Sequence, residues 1–147
     1  MIIDEFINEY DFLSNFYPSA FTHDGITYPT NEHFFQAMKT LDLTDRFGIA
    51  AAAFPGQAKR MGRRVILRSD WEQVKEYYME LGLRLKFADP ELAQKLLNTG
   101  DAELIEGNWW HDNTWGSCKC PDCNGKPGKN LLGHLLMKLR SELKGTS

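Results

Sequence analysis

The sequence predicts an α+β fold that is mostly helical, with a small strand and hairpin region near the N-terminus, in a single domain over residues 1–147. Three observations support this prediction. The longer segments carry apolar residues at the helical period. The β-type segments are short, and the clearest pair flanks the turn signal Asp24-Gly25. The composition is 42% hydrophobic and 25% charged, and 147 residues suit one globular domain of common size.

The first 28 residues predict short extended segments and turns. Ile2–Ile3 begins a strand, residues 12–18 form a loop with aromatic side chains, and residues 21–28 form a hairpin. Thr30 follows as the candidate N-cap of the first helix.

Helical periodicity and capping residues predict six helices in the rest of the chain. Asp70 and Asp89 are candidate N-caps of the fourth and fifth of them. A strand is predicted over residues 103–106, followed by a loop over residues 107–128, and a loop of more than about 15 residues is more often functional than incidental. The predicted helices cover residues 30–39, 45–53, 55–62, 71–86, 90–98 and 131–143.

Two of these helices show a clear apolar face. The predicted core positions of the fourth helix are Val74, Tyr77, Tyr78, Leu81 and Leu85. Those of the last helix are Leu132, Leu135, Leu136 and Leu139.

The segment TNEHFFQAMK, from Thr30 to Lys39, carries the most informative polar pattern. At helical spacing Glu32, Gln36 and Lys39 share one face, and the apolar residues around them predict that the helix is largely buried. Two interpretations stand side by side. Glu32 and Lys39 match the helix dipole, or the row lines a cleft. In the cleft Glu32 acts as general acid or base, and Lys39 as a binding cation or an amine nucleophile.

The predicted loop contains two further candidates. Trp109, Trp110 and Trp115 lie beside polar residues, which suits stacking on a planar ring as well as simple packing onto the core. The three cysteines, Cys118, Cys120 and Cys123, form one incomplete zinc pattern, for which His111 or His134 is the candidate fourth ligand. Free thiols are the alternative.

Two segments have the composition of anion sites. Gly128, Lys129 and Asn130 precede the last helix and resemble an anion cradle at a helix N-terminus. A basic run between Lys59 and Arg68 suits phosphate binding or, as the favoured interpretation, a solvated helical face.

The bulk properties exclude several classes of protein. A net charge of −3 argues against general affinity for nucleic acid. The first residues do not form a signal peptide, and no apolar run approaches the roughly 20 residues of a membrane-spanning helix. The three cysteines are too close together to form a disulfide framework. We therefore expect a cytoplasmic protein with no membrane association, and the sequence indicates no protein partner.

Several short motifs are spread along nearly the whole chain. The N-terminal ones are residues 13–17 (LSNFY) and the helix signature that contains Glu32, Gln36 and Lys39. The others are Ala58-Lys59-x-x-Gly62-Arg63, Asp70-Trp71, Leu97-x-Thr99-Gly100, Leu104-Ile105-Glu106, Trp115-Gly116 and Gly128-x-Asn130-x-Leu132-Gly133. Together, in this order, these motifs resemble those of the YbiA-like, or NADAR, family.

The resemblance implies a single YbiA-like domain with N-glycosidase activity and no cofactor. Two substrate classes follow from it: riboflavin-pathway intermediates bearing ribose phosphate, and ADP-ribose attached to guanine in nucleic acid, whose removal reverses ADP-ribosylation. The implied catalytic residues are Glu32, Lys39 and Asp112. The implied substrate-binding residues are Asn15, Phe16, Gln36, Arg63, Trp115, Gly116, Lys129 and Asn130.

The insert that contains the three cysteines departs from the family pattern, because shorter relatives pass from Trp-Gly directly into a glycine-rich turn. The alternative function is a non-catalytic module that binds ADP-ribose or nucleic acid and carries a small zinc knuckle. Stoichiometric zinc and binding without turnover would distinguish that module from an enzyme.

Overall fold

The computed structural model describes residues 1–123 and 125–145 and confirms an α+β, mostly helical fold. The chain divides into two compact units. The central unit is Asn15–Ala88, and the terminal unit combines Met1–Ser14 with Asp89–Ser147. A single domain over the whole chain stays a prediction.

Short strands precede and follow a run of five α-helices, and a sixth α-helix comes last among the described elements. The helices are a 3-10 helix at Asn8–Leu13, then α1 (Asn31–Ala37), α2 (Leu43–Ala50), α3 (Pro55–Gly62), α4 (Trp71–Lys86), α5 (Pro90–Leu97) and α6 (Leu131–Gly145). The strands are β1 (Ile2–Ile3), β2 (Phe21–His23), β3 (Ile26–Tyr28), β4 (Glu103–Leu104), β5 (Gly107–Asn108) and β6 (Ser117–Cys118).

The predicted hairpin of the central unit is confirmed. Strands β2 and β3 pair antiparallel, with Phe21 opposite Tyr28. Asp24 and Gly25 have φ angles of +50° and +79°, as a tight hairpin turn of this kind requires. Phe21 and Tyr28 both make ring contacts with Phe34, at centroid distances of 5.3 Å, so the hairpin packs against α1.

Helix α1 is the buried centre of this unit. Thr30 caps it as predicted, because its Oγ1 accepts a hydrogen bond from the His33 N–H at 3.1 Å. All seven residues of the helix are buried. The helix ends at Ala37, so the prediction that Lys39 lies on it is wrong. The Lys39 N–H instead donates to the Gln36 carbonyl at 3.2 Å, in a tighter turn that follows the helix.

Helices α3 and α4 both approach α1 closely at a glycine. A Cβ atom at Gly62 of α3 would lie 2.0 Å from Oε1 of Gln36, and one at Gly82 of α4 would lie 1.9 Å from Oδ1 of Asn31. Among the described residues, these two oxygens are the buried side-chain polar atoms without a hydrogen-bond partner. Their position against glycine Cα atoms suits weak Cα–H···O contacts, which only glycine allows here.

The core face of α4 differs from the predicted one. Met79, Gly82, Leu83 and Lys86 are buried, whereas Tyr77 is 60% exposed. The other predicted core positions, Val74, Tyr78, Leu81 and Leu85, are half-buried. The buried positions follow the spacing i, i+3, i+4 and i+7 around the close approach at Gly82. A hydropathy pattern misses this face because it contains a glycine and a lysine.

Several helix ends differ from the prediction. Helix α2 begins earlier than predicted because Asp42 caps it by accepting from the Asp45 N–H at 3.0 Å. Asp89 caps α5 as predicted. Asp70 precedes α4 but makes no capping hydrogen bond, since its carboxylate pairs with Arg68 at 2.6 Å.

The terminal unit contains two short parallel strand pairs. β1 pairs with β4, and β5 pairs with β6. The predicted strand over residues 103–106 is therefore shorter, and the predicted loop over residues 107–128 contains β5 and β6. The predicted core side of α6 is confirmed, since Leu132, Leu135, Leu136 and Leu139 are buried. Across residues 1–123 and 125–145, no helix combines the length and apolar character needed to cross a membrane.

Candidate active site

The Glu32 carboxylate is held inside the central unit by its neighbour on α1. Glu32 is only 8% exposed, and its Oε2 accepts a hydrogen bond from Nε2 of Gln36 at 2.6 Å. Gln36 is 3% exposed, and the oxygen of its amide, Oε1, faces Gly62. A carboxylate that accepts a short hydrogen bond at a buried position has a fixed orientation, as a catalytic acid or base requires.

Lys39 is half-buried at the turn after α1, where its charge interacts with that of Glu32. Burial lowers the pKa of its ammonium group, the Glu32 charge raises it, and the cations Arg63 and Lys59 lower it again; the net direction is downward. A lysine with a lowered pKa exists as neutral amine over a wider pH range, which allows nucleophilic chemistry.

Arg68, which the sequence placed only at the end of the basic run, holds the turn that carries Lys39. Arg68 is charge-paired with Asp70, and its guanidinium lies 5.2 Å from the ring centre of Tyr78. Its backbone N–H donates to the Lys39 carbonyl at 2.8 Å, and its Nη1 donates to the Met38 carbonyl at 3.4 Å. Arg68 is thus a structural residue, whereas Arg63 at the end of α3 is exposed.

Asn15 supports α1 through its backbone and its side chain. Its carbonyl accepts the Glu32 N–H at 3.0 Å, and its Oδ1 accepts from Asn31 at 2.9 Å. Its Nδ2 contacts Met79 Sδ at 3.4 Å. Phe16 is 43% exposed. The predicted substrate-binding roles of Asn15 and Phe16 stay predictions.

In the terminal unit, Asp112 organises the turn that leads to Trp115. Its Oδ1 accepts the backbone N–H groups of Thr114 and Trp115, at 3.1 Å and 2.9 Å. The fully buried Asn108 binds both the carbonyl and the N–H of Asp112. These bonds give Asp112 a structural role, and its catalytic role stays a prediction. Trp115 is half-buried, and its binding role also stays a prediction. Trp109 is 59% exposed and Trp110 58%.

The anion cradle predicted at the start of α6 is wrong, because its N–H groups are already bonded. Gly128 N–H donates to Oγ of Ser117, Lys129 N–H to the carbonyl of Asn113, and Asn130 N–H to the carbonyl of Gly116. These three N–H groups are therefore not free to bind an anion. The exposed Lys129 side chain is the part of the predicted phosphate site that stays a prediction.

Asn130 and Gly116 have packing roles. The Asn130 amide accepts from the Glu106 N–H at 3.0 Å and donates to the Leu104 carbonyl at 2.9 Å. A Cβ at Gly116 would lie 1.9 Å from Oε2 of Glu106. The family motif that implied binding at these two positions is explained equally well by these contacts, and the binding roles stay predictions.

The cysteines converge with one histidine. His111, Cys118, Cys120 and Cys123 have ligand atoms that all lie within 4.8 Å of one another. Sequence reasoning left His111 and His134 open, and the structure selects His111. Burial alone raises the pKa of the Cys118 thiol, but hydrogen bonds from Cys120 and His111 outweigh it and lower that pKa to about 7.

Comparison with known proteins identifies the family. The NADAR domain profile matches residues 4–144. The N-glycosidase YbiA of Shigella flexneri serotype 5b is 45% identical over 139 residues, which cover 92% of this chain and 83% of that protein. A riboflavin biosynthesis protein of Vibrio vulnificus is 37% identical over 135 residues, covering 90% of this chain and 35% of that protein. The NMR structure of YbiA from E. coli matches with a TM-score of 0.82 and 40% identity, covering 99% of this chain and 85% of that one.

The Shigella relative matches nearly the whole chain and is an N-glycosidase, so the predicted enzyme class, an N-glycosyl hydrolase, is confirmed. The chain belongs to the NADAR family. The alternative of a non-catalytic binding module is therefore set aside.

Proposed function

We propose that the protein hydrolyses the C1–N bond of a ribose phosphate attached to an amine, of the kind found in early riboflavin-pathway intermediates. The similarity to a riboflavin biosynthesis protein supports this substrate class. The net charge of −3 favours a small substrate over nucleic acid.

One observation carries the proposal: a buried carboxylate, oriented by a short hydrogen bond, lies near an amine whose pKa is lowered. Cleavage of a ribose C1–N bond develops positive charge at C1, and a fixed carboxylate stabilises that charge more effectively than water does. Glu32, held by Gln36 at 2.6 Å, supplies the carboxylate. The cations Lys59 and Arg63, which act on the pKa of Lys39, supply positive charge for the phosphate of the substrate.

Hydrolysis then requires one water molecule. Its oxygen forms a bond to C1, the C1–N bond breaks, and the leaving nitrogen takes the electron pair together with a proton. Glu32 accepts a proton from the attacking water and later returns it to solvent, from which the leaving nitrogen takes its own proton, so the protons balance. The products are the free amine and ribose phosphate.

Lys39 gives this reaction a covalent route. Its neutral Nζ attacks C1 of the ring-opened sugar, the substrate amine leaves, and a Schiff base joins Nζ to C1 until water releases the sugar. Burial favours this route because it lowers the pKa of Lys39 and so raises the fraction of neutral amine. A cation that only bound phosphate would gain nothing from a lowered pKa.

The substrate class is tested by incubating the purified protein with a phosphoribosylamino pyrimidine and, separately, with guanine-ADP-ribosylated DNA. Released base is measured by chromatography. We expect release of the amine from the first substrate, with at least 100-fold lower kcat/KM on the second. Preferential release of guanine would overturn the proposed substrate class, and no release from either would overturn the proposed activity.

The role of Lys39 is tested by borohydride trapping of a substrate adduct and by the pH dependence of the rate. We expect borohydride to reduce a substrate adduct on Lys39, and the rate to rise with pH through the lowered pKa of this residue, because the reactive form is the neutral amine. Lys39→Arg keeps the charge but loses the nucleophile, so turnover should fall by about 100- to 10,000-fold.

The matched control for this variant is Lys75→Arg on α4, whose ammonium pairs with Glu72. It should retain the activity of the wild-type protein. An active Lys39→Arg variant, or a rate that falls with pH as the ammonium is lost, would make Lys39 a binding cation instead.

A further inference from the structure

The cysteine-containing segment of the terminal unit brings four metal-ligating side chains to one point. We propose that His111, Cys118, Cys120 and Cys123 bind a structural Zn²⁺ ion. Three thiolates and one imidazole are a common ligand set for structural zinc.

The spacing of the ligand atoms fits one tetrahedral ion. Nδ1 of His111 lies 3.3 Å from Sγ of Cys123, 3.4 Å from that of Cys120 and 3.9 Å from that of Cys118. Zn–N and Zn–S bonds of about 2.0 and 2.3 Å, arranged tetrahedrally, separate nitrogen from sulfur by about 3.5 Å. The three observed distances lie on either side of that value.

Hydrogen bonds around the sulfur atoms suit thiolates. The backbone N–H groups of His111 and Cys120 both point at Sγ of Cys118, at 3.3 Å and 3.4 Å. The side-chain amide of Asn113 donates to Sγ of Cys123 at 3.5 Å, and its Oδ1 accepts the Cys118 N–H at 2.9 Å. Donors of this kind orient metal ligands and stabilise their negative charge.

The backbone also contributes to the arrangement. His111 has a φ angle of +67°, a left-handed conformation that is uncommon for a residue other than glycine. The Cys123 N–H donates to the Cys120 carbonyl at 3.1 Å and closes the C-x2-C turn. Cys118 and Cys120 are buried, so most of the ion would be shielded from water. A left-handed residue is maintained where its surroundings require it, and aiming an imidazole at three thiols is such a requirement.

Zinc fits this ligand set better than the alternatives. A tetrahedral site of sulfur and nitrogen is typical of zinc, whereas magnesium and calcium require oxygen ligands. A disulfide would join two of the three thiols and leave the third thiol and the imidazole unexplained. The three thiols are unbridged.

The ion would fix the segment between β5 and α6. Asn113 contacts a ligand sulfur and also accepts the Lys129 N–H through its carbonyl at 2.8 Å, so the site is connected to the start of α6. Zinc would therefore act as a cross-link that holds this segment in one conformation.

The first test is metal analysis of the full-length protein, purified from zinc-supplemented cells without chelator. We expect one zinc per chain, and a Co²⁺-substituted protein with the intense absorption bands of a tetrahedral thiolate site. Removal of zinc under reducing conditions should lower the thermal midpoint by roughly 10 °C. A zinc content below one tenth per chain, with no Co²⁺ spectrum on titration, would overturn the proposal.

The second test compares two histidines. His111→Gln should lower zinc affinity at least 10-fold and change the Co²⁺ spectrum, whereas His134→Gln, at an exposed position on α6, should change neither. A His111→Gln variant with unchanged affinity and spectrum would remove His111 from the site. These measurements do not depend on catalytic activity, so they stand apart from the proposed reaction.

Discussion

Replacement of Glu32 by glutamine is expected to lower N-glycosidase turnover by about 100- to 10,000-fold while the fold is kept. The new amide has the shape of the carboxylate, and its oxygen can still accept the hydrogen bond from Gln36. It lacks the negative charge that stabilises C1 and the basicity that activates water. The measurement is kcat on the phosphoribosylated amine, together with the thermal midpoint.

The control is Glu76→Gln, which removes a carboxylate from an exposed position of α4 in the same unit. It should change neither quantity. If Glu32→Gln retained the turnover of the wild-type protein, the buried carboxylate would be structural and the proposed chemistry would be wrong.

Replacement of Gly62 by alanine is expected to lower both stability and turnover. The new Cβ would lie 2.0 Å from Oε1 and 2.9 Å from Cδ of Gln36. The end of a glutamine side chain can usually move aside, but this one is 3% exposed and bonded to Glu32. We expect a loss of about 1–3 kcal/mol in the free energy of unfolding. Turnover should fall about 10-fold or more, because the displaced amide no longer orients the carboxylate.

The same helix offers the control. A Cβ at Gly56, in the first turn of α3, meets no atom within 4 Å. Gly56→Ala should therefore be neutral or stabilising by up to about 1 kcal/mol, because alanine restricts the unfolded chain.

A double-mutant cycle isolates the contact. In a Gln36→Ala background, Gly62→Ala should cost much less stability, because Oε1 and Cδ of residue 36 are gone and only its Cβ, 3.1 Å away, stays close. If the cost were the same in both backgrounds, the effect would arise from another contact of Gly62.

The polar row of the first helix shows which part of the candidate site can be predicted from helical spacing. Periodicity predicted a buried helix with Glu32 and Gln36 on one face, and the 2.6 Å bond between them follows from their i, i+4 spacing. The third member, Lys39, lies beyond the end of the helix. Its pKa is lowered first by burial and then by the cations Arg63 and Lys59, which lie 20 and more residues later in the chain, and no local pattern contains that information.

The core face of α4 was predicted wrongly for a similar reason, because it depends on a neighbouring helix. Hydropathy counts large apolar side chains, so it selected Tyr77 and passed over Gly82 and Lys86. The close approach of two helices depends on the residue that has no side chain, and the stem of a lysine can be buried as apolar surface. Neither effect is visible until the neighbouring helix is in position.

What the sequence by itself determined are the features that depend on nearby residues. These are the helical content, the hairpin turn at Asp24-Gly25, the caps at Thr30 and Asp89, the core side of α6 and, through motif resemblance, the family and its enzyme class. Only the tertiary structure decided which glycines face side-chain oxygens, that the N–H groups of residues 128–130 are already bonded, and that His111, not His134, joins the cysteines. The physical reason is the separation in sequence of the residues that interact. Turns, caps and helical periodicity depend on residues a few positions apart. Burial, the close approach of helices and the geometry of metal ligands depend on distant segments that folding brings together.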